Sequence, residues 1–138
     1  MSIVSGPTAC GKTNFVLKLV DHVSELIKPV TDTFMYYFVE YQPQLELYEN
    51  RVQFRRGKPR VGEFEMLSNV LLIVDDLMSQ ADEDLMCLFM RGSHYKNMSV
   101  LFLLQNFFLN NMYMRTISLN AQYIVLFKNR VITVSLHI

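Results

Sequence analysis

Eight residues near the amino terminus carry the side chains and the spacing of a phosphate-binding loop. They are Gly6, Pro7, Thr8, Ala9, Cys10, Gly11, Lys12 and Thr13, which match the pattern G-x-x-x-x-G-K-[ST]. Gly6 and Gly11 have no Cβ, so the loop can turn successive N–H groups towards the β-phosphate of a nucleotide. Lys12 can reach the β- and γ-phosphates, and the Thr13 hydroxyl can bind Mg²⁺. The motif therefore predicts that the chain binds a nucleotide together with Mg²⁺.

The residues on either side of the loop support this interpretation. A short apolar stretch, Ile3-Val4, precedes the loop, and apolar residues then recur at helical spacing from Phe15 to Ile27, where Pro29 ends the pattern. A helix that begins at the loop would direct its positive N-terminal end at the phosphates. The alternative is a chance glycine turn before a helix, which four specified positions with the correct flanks disfavour.

Two adjacent carboxylates follow the most apolar segment of the chain. Val70–Val74 is a continuous apolar run, typical of a strand buried on both faces of a parallel sheet, and Asp75-Asp76 come directly after it. An acid in this position after a phosphate-binding loop holds Mg²⁺ directly or through water, and we assign that role to Asp75. Asp76 is then placed to orient and deprotonate an attacking water. The alternative for Asp76 is a helix cap or a solvated turn residue.

A third polar strand end is Gln105, which follows the apolar segment Val100–Leu104. We expect this strand to lie between the strands that carry Lys12 and Asp75, so that Gln105 contacts the γ-phosphate or the attacking water. An ordinary polar strand terminus is the alternative. Two arginines, Arg91 and Arg115, are candidates for a finger supplied in trans by a neighbouring subunit, which accelerates phosphoryl transfer. Each is otherwise a surface arginine or a cation near a helix end.

Length and composition set the framework for this site. The 138 residues predict a single domain, 1–138, and strands that alternate with helices predict an α/β fold with three layers and a mainly parallel central sheet. Residues are 51% hydrophobic and 19% charged, which suggests that another subunit or further chain covers part of the surface. The net charge of zero shows no overall basicity, so nucleic-acid binding would need a local patch.

Further elements and the cellular compartment follow from local patterns. We expect a strand at Phe34–Tyr41, a helix at Ser79–Asn97 and strands at Tyr123–Phe127 and Val131–Val134. Gln44–Arg60 is interpreted as a helix or turn followed by an exposed segment with five basic residues, which either contacts DNA or is simply solvated. Two cysteines, no secretion signal and no apolar run long enough for a bilayer predict a soluble, intracellular protein.

Five segments together resemble a known group, the viral DNA-packaging ATPases of the FtsK/HerA superfamily, of the poxvirus and polinton-like type that includes Maverick, adintovirus and virophage proteins. The segments are GPTACGKT, EYQP at Glu40–Pro43, LLIVDDLM at Leu71–Met78, RGSHYKNMSVLFLLQN at Arg91–Asn106 and RTISLNAQYIVLFKN at Arg115–Asn129. The resemblance implies a RecA-like fold of the additional-strand class, with ATP and Mg²⁺ bound. It also implies that Asp75 is the Walker B metal acid, Asp76 the catalytic acid and Gln105 the sensor of the γ-phosphate.

The same resemblance implies a homo-oligomeric ring that acts on double-stranded DNA, with capsid proteins as further partners and no membrane, in the nucleus or cytoplasm of a virus-bearing host. The chain departs from the family at Ala9, where relatives often have Gly, and from Lys128 onward, and it stops at Ile138 before a further segment that we expect. We therefore expect a copy truncated at its C-terminus, derived from an integrated element such as a transposon.

Three functions are compatible with these residues. The leading interpretation is an ATP-hydrolysing motor subunit that moves double-stranded viral or transposon DNA into a capsid. The second is a catalytically impaired remnant that binds nucleotide without assembling or hydrolysing it. The third is a small-molecule P-loop kinase, which would need an acceptor site and lid arginines, whereas paired acids and a polar strand end suit water as the nucleophile.

Overall fold

A seven-stranded sheet dominates the part of the chain that the structure, a computed structural model, describes: 2–7, 11–26, 31–64, 67–76, 98–105, 112–128 and 131–136. The strands are β1 (Ser2–Ser5), β2 (Thr33–Phe38), β3 (Val52–Arg56), β4 (Val70–Asp75), β5 (Met98–Leu104), β6 (Tyr123–Lys128) and β7 (Val131–Leu136). The helices are α1 (Lys12–Asp21), α2 (Val23–Leu26) and α3 (Met112–Asn120), with 3₁₀ helices at Pro43–Tyr48 and Val61–Phe64.

The strand order across the sheet is β3-β2-β4-β5-β1-β6-β7. All neighbouring pairs are parallel except β6 and β7, which are antiparallel. The expectation that β5 lies between β1 and β4 is confirmed, so the strands that lead to the phosphate-binding loop and to the acid pair are separated by one strand. Because these strands are parallel, their carboxyl ends meet at a single edge of the sheet.

Burial explains why the central strands have continuous apolar sequences. All six residues of β4 are buried, as expected for a strand that is covered on both faces. On one face α1 packs against the sheet through Val16, Leu17 and Val20. On the other face lie Ile117 of α3 and Phe64 of the second 3₁₀ helix. The predicted three-layer α/β fold with a mainly parallel sheet is therefore confirmed.

Alternation along β2 divides its aromatic residues between these two layers. Met35 and Tyr37 belong to the core under α3, whereas Tyr36 and Phe38 belong to the core under α1. Side chains of successive strand residues point to opposite faces, so Tyr36 and Tyr37 reach different environments although they are adjacent in sequence.

Several boundaries differ from the sequence-based expectations. The segment Gln44–Arg60 contains the edge strand β3, which the sequence analysis missed because its arginines obscure an apolar face formed by Val52 and Phe54. The predicted long helix after the loop is broken at His22 into α1 and α2, and β2 ends at Phe38 rather than at Tyr41. Helix α3 was not predicted, and the helix expected at Ser79–Asn97 lies outside the described residues.

The strand proposed after Tyr123–Phe127 is present as β7 and pairs along the whole of β6. It follows that β7, and not β6, forms this edge of the sheet in the described part of the chain. Among the described helices, none has the length and apolar character needed to cross a membrane.

Candidate nucleotide-binding site

A cavity of about 570 Å³ opens at the carboxyl edge of the sheet. Six of the residues singled out from the sequence line it: Gly11, Lys12, Thr13, Asp75, Asp76 and Gln105. Asp75 ends β4 and Asp76 follows it, Gln105 follows β5, and the other three lie at the start of α1, the helix after β1. The parallel arrangement therefore brings together residues that are up to 94 positions apart in the sequence, from Gly11 to Gln105.

The backbone of the loop adopts a conformation that requires glycine at its end. Gly11 has φ of 97° and directly precedes the first residue of α1, so the N-terminus of that helix opens into the cavity. A Cβ at this position would have Phe127 Cε2 as its nearest described neighbour, at an ordinary 3.8 Å, so the constraint is the backbone angle and not lack of space. At the other end of the loop, the Gly6 N–H donates a hydrogen bond to the Leu104 carbonyl, 3.0 Å away.

Backbone carbonyls position the Lys12 ammonium group. Its Nζ donates to the carbonyl of Gly6 and to that of Leu104, the latter at 3.0 Å. These carbonyls belong to the ends of β1 and β5, so the cation sits between two strand termini. Phosphate oxygens are stronger acceptors than neutral carbonyls because they are charged, and Lys12 has a suitable location to bind them.

The Asp75 carboxylate is buried, with 8% of the residue exposed, and it is bound by a tyrosine from β2. The Tyr36 hydroxyl donates to Asp75 Oδ2 at 2.6 Å. Burial raises the pKa of this hydroxyl most, Asp75 raises it further, and the Thr13 side chain lowers it. Burial is the largest influence on Asp75 and raises its pKa; Asp76 also raises it, while the hydrogen bond from Tyr36 and the charge of Lys12 lower it.

The donor groups at this point fit Mg²⁺. A hydroxyl oxygen from Thr13 and a carboxylate oxygen from Asp75 are hard ligands of the kind that Mg²⁺ prefers. Burial of the carboxylate disfavours its charged form, and a divalent cation would favour that form again. These two residues are therefore the ones that would hold the metal, as the sequence predicts.

Asp76 has an uncommon backbone conformation, with φ of 56°. Its N–H donates to the Leu103 carbonyl at 3.0 Å, and its Oδ2 accepts from Gln105 Nε2 at 3.0 Å. A helix N-cap has extended backbone angles, so this geometry argues against the cap alternative. Left-handed residues other than glycine cluster at functional sites, which is consistent with a catalytic carboxylate. The catalytic role itself stays a prediction.

Glu40 is a site residue that the sequence reasoning missed. It follows β2, lines the cavity, and raises the pKa of Asp76, which burial raises most and Lys12 lowers. Gln42 and Gln44 line the same wall. The signal was available, since Glu40 follows a strand whose carboxyl end lies at the same edge as Asp76. Tyr36 was missed as well, and only the register of β2 against β4 reveals it.

Among the described residues, some predicted site residues do not line the cavity. Arg115 is exposed on α3, so its proposed role as a finger for a neighbouring subunit stays a prediction. Pro7 is an exposed residue of the loop. Arg91 and the loop residues Thr8, Ala9 and Cys10 lie outside the described part of the chain.

No protein-family model matches the sequence, and no curated protein is similar to it by sequence. The structure is similar to that of the flagellar accessory protein FlaH from Methanocaldococcus jannaschii, with a TM-score of 0.62 and 13% identity over 96% of this chain and 74% of FlaH. It is also similar to the genome packaging NTPase B204 from Sulfolobus turreted icosahedral virus 2 in complex with ATP-γ-S, with a TM-score of 0.58 and 12% identity over 95% of this chain and 76% of B204.

The same viral NTPase in complex with AMPPCP gives a TM-score of 0.57 at 12% identity, over 95% of this chain and 75% of that chain. At these identities the similarity shows the fold. Together with the strand order, it shows that the chain has an α/β fold of the RecA-like, additional-strand class.

Proposed function

We propose that this chain is an ATP-hydrolysing subunit of a ring-shaped motor that moves double-stranded viral or transposon DNA into a capsid. One observation carries the enzymatic part: the phosphate-binding loop, two carboxylates and a glutamine line one cavity at the carboxyl edge of the sheet. The similarity to a genome packaging NTPase and the sequence resemblance to packaging ATPases support the DNA-moving part. Residues 1–138 are proposed to form one such ATPase domain.

Each residue of the cavity has a distinct chemical task in this proposal. Lys12 binds oxygens of the β- and γ-phosphates, in place of the carbonyls of Gly6 and Leu104. Thr13 and Asp75 hold Mg²⁺, which supplies charge compensation for the phosphates. The backbone N–H groups at the start of α1 complete the cradle.

The bond-making step uses water as the nucleophile. The water oxygen attacks the γ-phosphorus while Asp76 accepts a proton from that water. The bond between the γ-phosphorus and the β–γ bridging oxygen breaks, which releases ADP. Gln105 donates to the Asp76 carboxylate at 3.0 Å, so it holds this group at the cavity wall. A side-chain amide beside the carboxylate is also able to hydrogen-bond the water or the γ-phosphate.

The basic segment near β3 is largely engaged within the chain. Arg51 forms an ion pair with Asp21 at 2.7 Å and lies over the Tyr48 ring, and Arg55 lies 3.9 Å from the Glu63 carboxylate. Arg56 donates to the Val39 carbonyl at 2.8 Å. These arginines therefore have partners within the chain, and the proposed motor does not require this segment to contact DNA.

The test measures hydrolysis and assembly on the same preparation. We expect the full chain to release phosphate from Mg²⁺-ATP, to do so faster with double-stranded DNA, and to assemble in light scattering when ATP is present. The matched control is Lys12→Ala, which should lose nucleotide binding. Binding without hydrolysis or assembly would instead identify a remnant, and rapid DNA-independent hydrolysis by a monomer would identify a self-sufficient enzyme. Phosphate transfer that needs a small-molecule acceptor would identify a kinase.

A further inference from the structure

The tyrosine that binds Asp75 has no part in the chemistry described above. Tyr36 lies on β2, a strand that carries no residue of the phosphate-binding loop or the acid pair, and it is fully buried. Its ring packs against Phe54 at a centroid distance of 5.4 Å, and its register partner on β4 is Ile73. A buried phenol usually has a hydrogen-bond partner, and the acceptor here is the carboxylate that we expect to hold the metal.

The reach of this side chain follows from the register of the sheet. Ile73 and Asp75 are two positions apart on β4, so their side chains lie on the same face, which is also the face of Tyr36. A residue opposite Ile73 therefore needs a long side chain with a terminal polar group to reach the Asp75 carboxylate. Tyrosine meets this requirement with a rigid ring, and its hydroxyl ends 2.6 Å from Asp75 Oδ2.

We infer that Tyr36 is a positioning residue for the magnesium site, holding Asp75 by its Oδ2 so that the carboxylate is arranged for the metal that accompanies the nucleotide. This inference rests on the proposed function. Asp75 has two carboxylate oxygens, and Tyr36 uses one of them, so the other is the oxygen that we assign to the metal or its bound water. Groups that orient metal ligands in this way typically contribute about 10–100-fold to metal affinity.

The neighbouring tyrosine provides a matched control. Tyr37 is also buried, also carries a hydroxyl bound to a carboxylate, that of Glu63, and also has its pKa raised by burial first and by Glu63 second. It faces the opposite layer of the fold, against Phe64 at 6.3 Å, away from the phosphate-binding loop. If removing a buried hydroxyl only disturbs the structure, Tyr36→Phe and Tyr37→Phe should show the same effect. If the hydroxyl acts on the metal site, only Tyr36→Phe should change metal binding.

The experiment measures ADP affinity of the full chain by calorimetry, with Mg²⁺ and with EDTA, for the wild type, Tyr36→Phe and Tyr37→Phe. We expect Tyr36→Phe to weaken Mg²⁺-dependent binding by about 10-fold or more while binding in EDTA is unchanged. Tyr37→Phe should leave both values at the wild-type level. Electron paramagnetic resonance of Mn²⁺ with ADP should show the same loss of bound metal in Tyr36→Phe alone.

A double-mutant cycle with Asp75→Asn tests whether the tyrosine acts through the carboxylate. If it does, adding Tyr36→Phe to Asp75→Asn should weaken metal-dependent binding less than Tyr36→Phe does in the wild type. Equal Mg²⁺ dependence in wild type and Tyr36→Phe would overturn the inference and leave the proposed function intact. Absence of nucleotide binding by the wild type would overturn the proposed function itself.

A measurement on the wild type covers the case in which Tyr36→Phe does not fold. With ¹³C-labelled tyrosine rings, the assigned resonance of the Tyr36 hydroxyl-bearing carbon should move when Mg²⁺ is added to the ADP-bound protein, and that of Tyr37 should not. A Tyr36 resonance that is insensitive to Mg²⁺ would refute the positioning role.

Discussion

Replacing Gly11 with alanine tests whether the loop geometry is required for both stability and nucleotide binding. Gly11 has φ of 97°, an angle that residues with a Cβ rarely adopt. The nearest described atom to an added Cβ is Phe127 Cε2 at 3.8 Å, an ordinary contact, so no steric clash contributes. The expected cost is that of the left-handed backbone alone, about 1–2 kcal/mol. For a chain of 138 residues this lowers the melting temperature by about 3–7 °C.

Alanine substitutions at two other glycines serve as controls. They distinguish the loss of stability caused by a positive φ from the loss of nucleotide binding. Gly57 has φ of 96° and does not line the cavity, and among the described residues no atom lies within 4 Å of its Cβ position. Gly57→Ala should therefore lower the melting temperature as much as Gly11→Ala does. Gly62 has no positive φ and similar open space in the described structure, so Gly62→Ala should be neutral or should stabilise by about 0.4–1 kcal/mol.

The assay combines thermal unfolding of the three variants with calorimetric titration of Mg²⁺-ATP. We expect only Gly11→Ala to lose nucleotide affinity, because its backbone is part of the cradle that the phosphates occupy. Unchanged affinity in Gly11→Ala would refute the assignment of the phosphate site. If Gly11→Ala and Gly57→Ala were both as stable as the wild type, a positive φ at these two positions would not carry the expected cost for alanine.

Two further predictions concern the acid pair. Asp76→Asn should still bind Mg²⁺-ATP but hydrolyse it at least ~100-fold more slowly, the scale of a lost general base; if Glu40→Gln has that effect instead, the base is Glu40. Asp75→Asn should weaken the Mg²⁺ dependence of nucleotide binding and change how stability depends on pH. Burial raises the pKa of Asp75 above its ordinary value of 3.8, so metal-free wild type should lose stability relative to Asp75→Asn as the pH rises from about 4 through the raised pKa. The free energy of unfolding of both proteins is measured by denaturation across this pH range. If it has the same pH dependence in both, the conclusion that burial raises the pKa of Asp75 is wrong.

The elements that were predictable from the sequence are those that a short motif or a continuous apolar run identifies without knowledge of the neighbouring strands. The loop motif, the apolar run of β4 and the polar ends of β4 and β5 each have a local signature, and the position of β5 between β1 and β4 is the one expected for a sheet of the additional-strand class. The edge strand β3 lacked such a signature. Its side chains alternate between an apolar face and charged positions such as Arg55, a pattern that resembles a solvated segment unless the neighbouring strand is known.

The residues missed at the site depend on register, which the sequence does not specify. Tyr36 and Tyr37 are adjacent aromatic residues with similar neighbours in the sequence, and only the pairing of β2 with β4 determines which one reaches Asp75. Glu40 lies beyond the end of β2, and its contribution to Asp76 depends on two strand ends lying side by side. Non-local pairing of this kind is set by the packed sheet as a whole.

Strand β2 therefore has a larger part in the candidate site than the motifs indicate. It supplies a hydroxyl to Asp75, the carboxylate that would hold the metal, and it leads to Glu40, which lines the cavity and raises the pKa of Asp76. It therefore influences both acids of the pair. A shift of one residue in its pairing with β4 would turn Tyr36 towards the α3 layer and bring Tyr37 to the α1 layer. The motif residues would be unchanged, but the Asp75 carboxylate would lose the donor that now orients it. The register of β2 is thus as much a part of the site as the loop and the acids, because it determines which side chain contacts them.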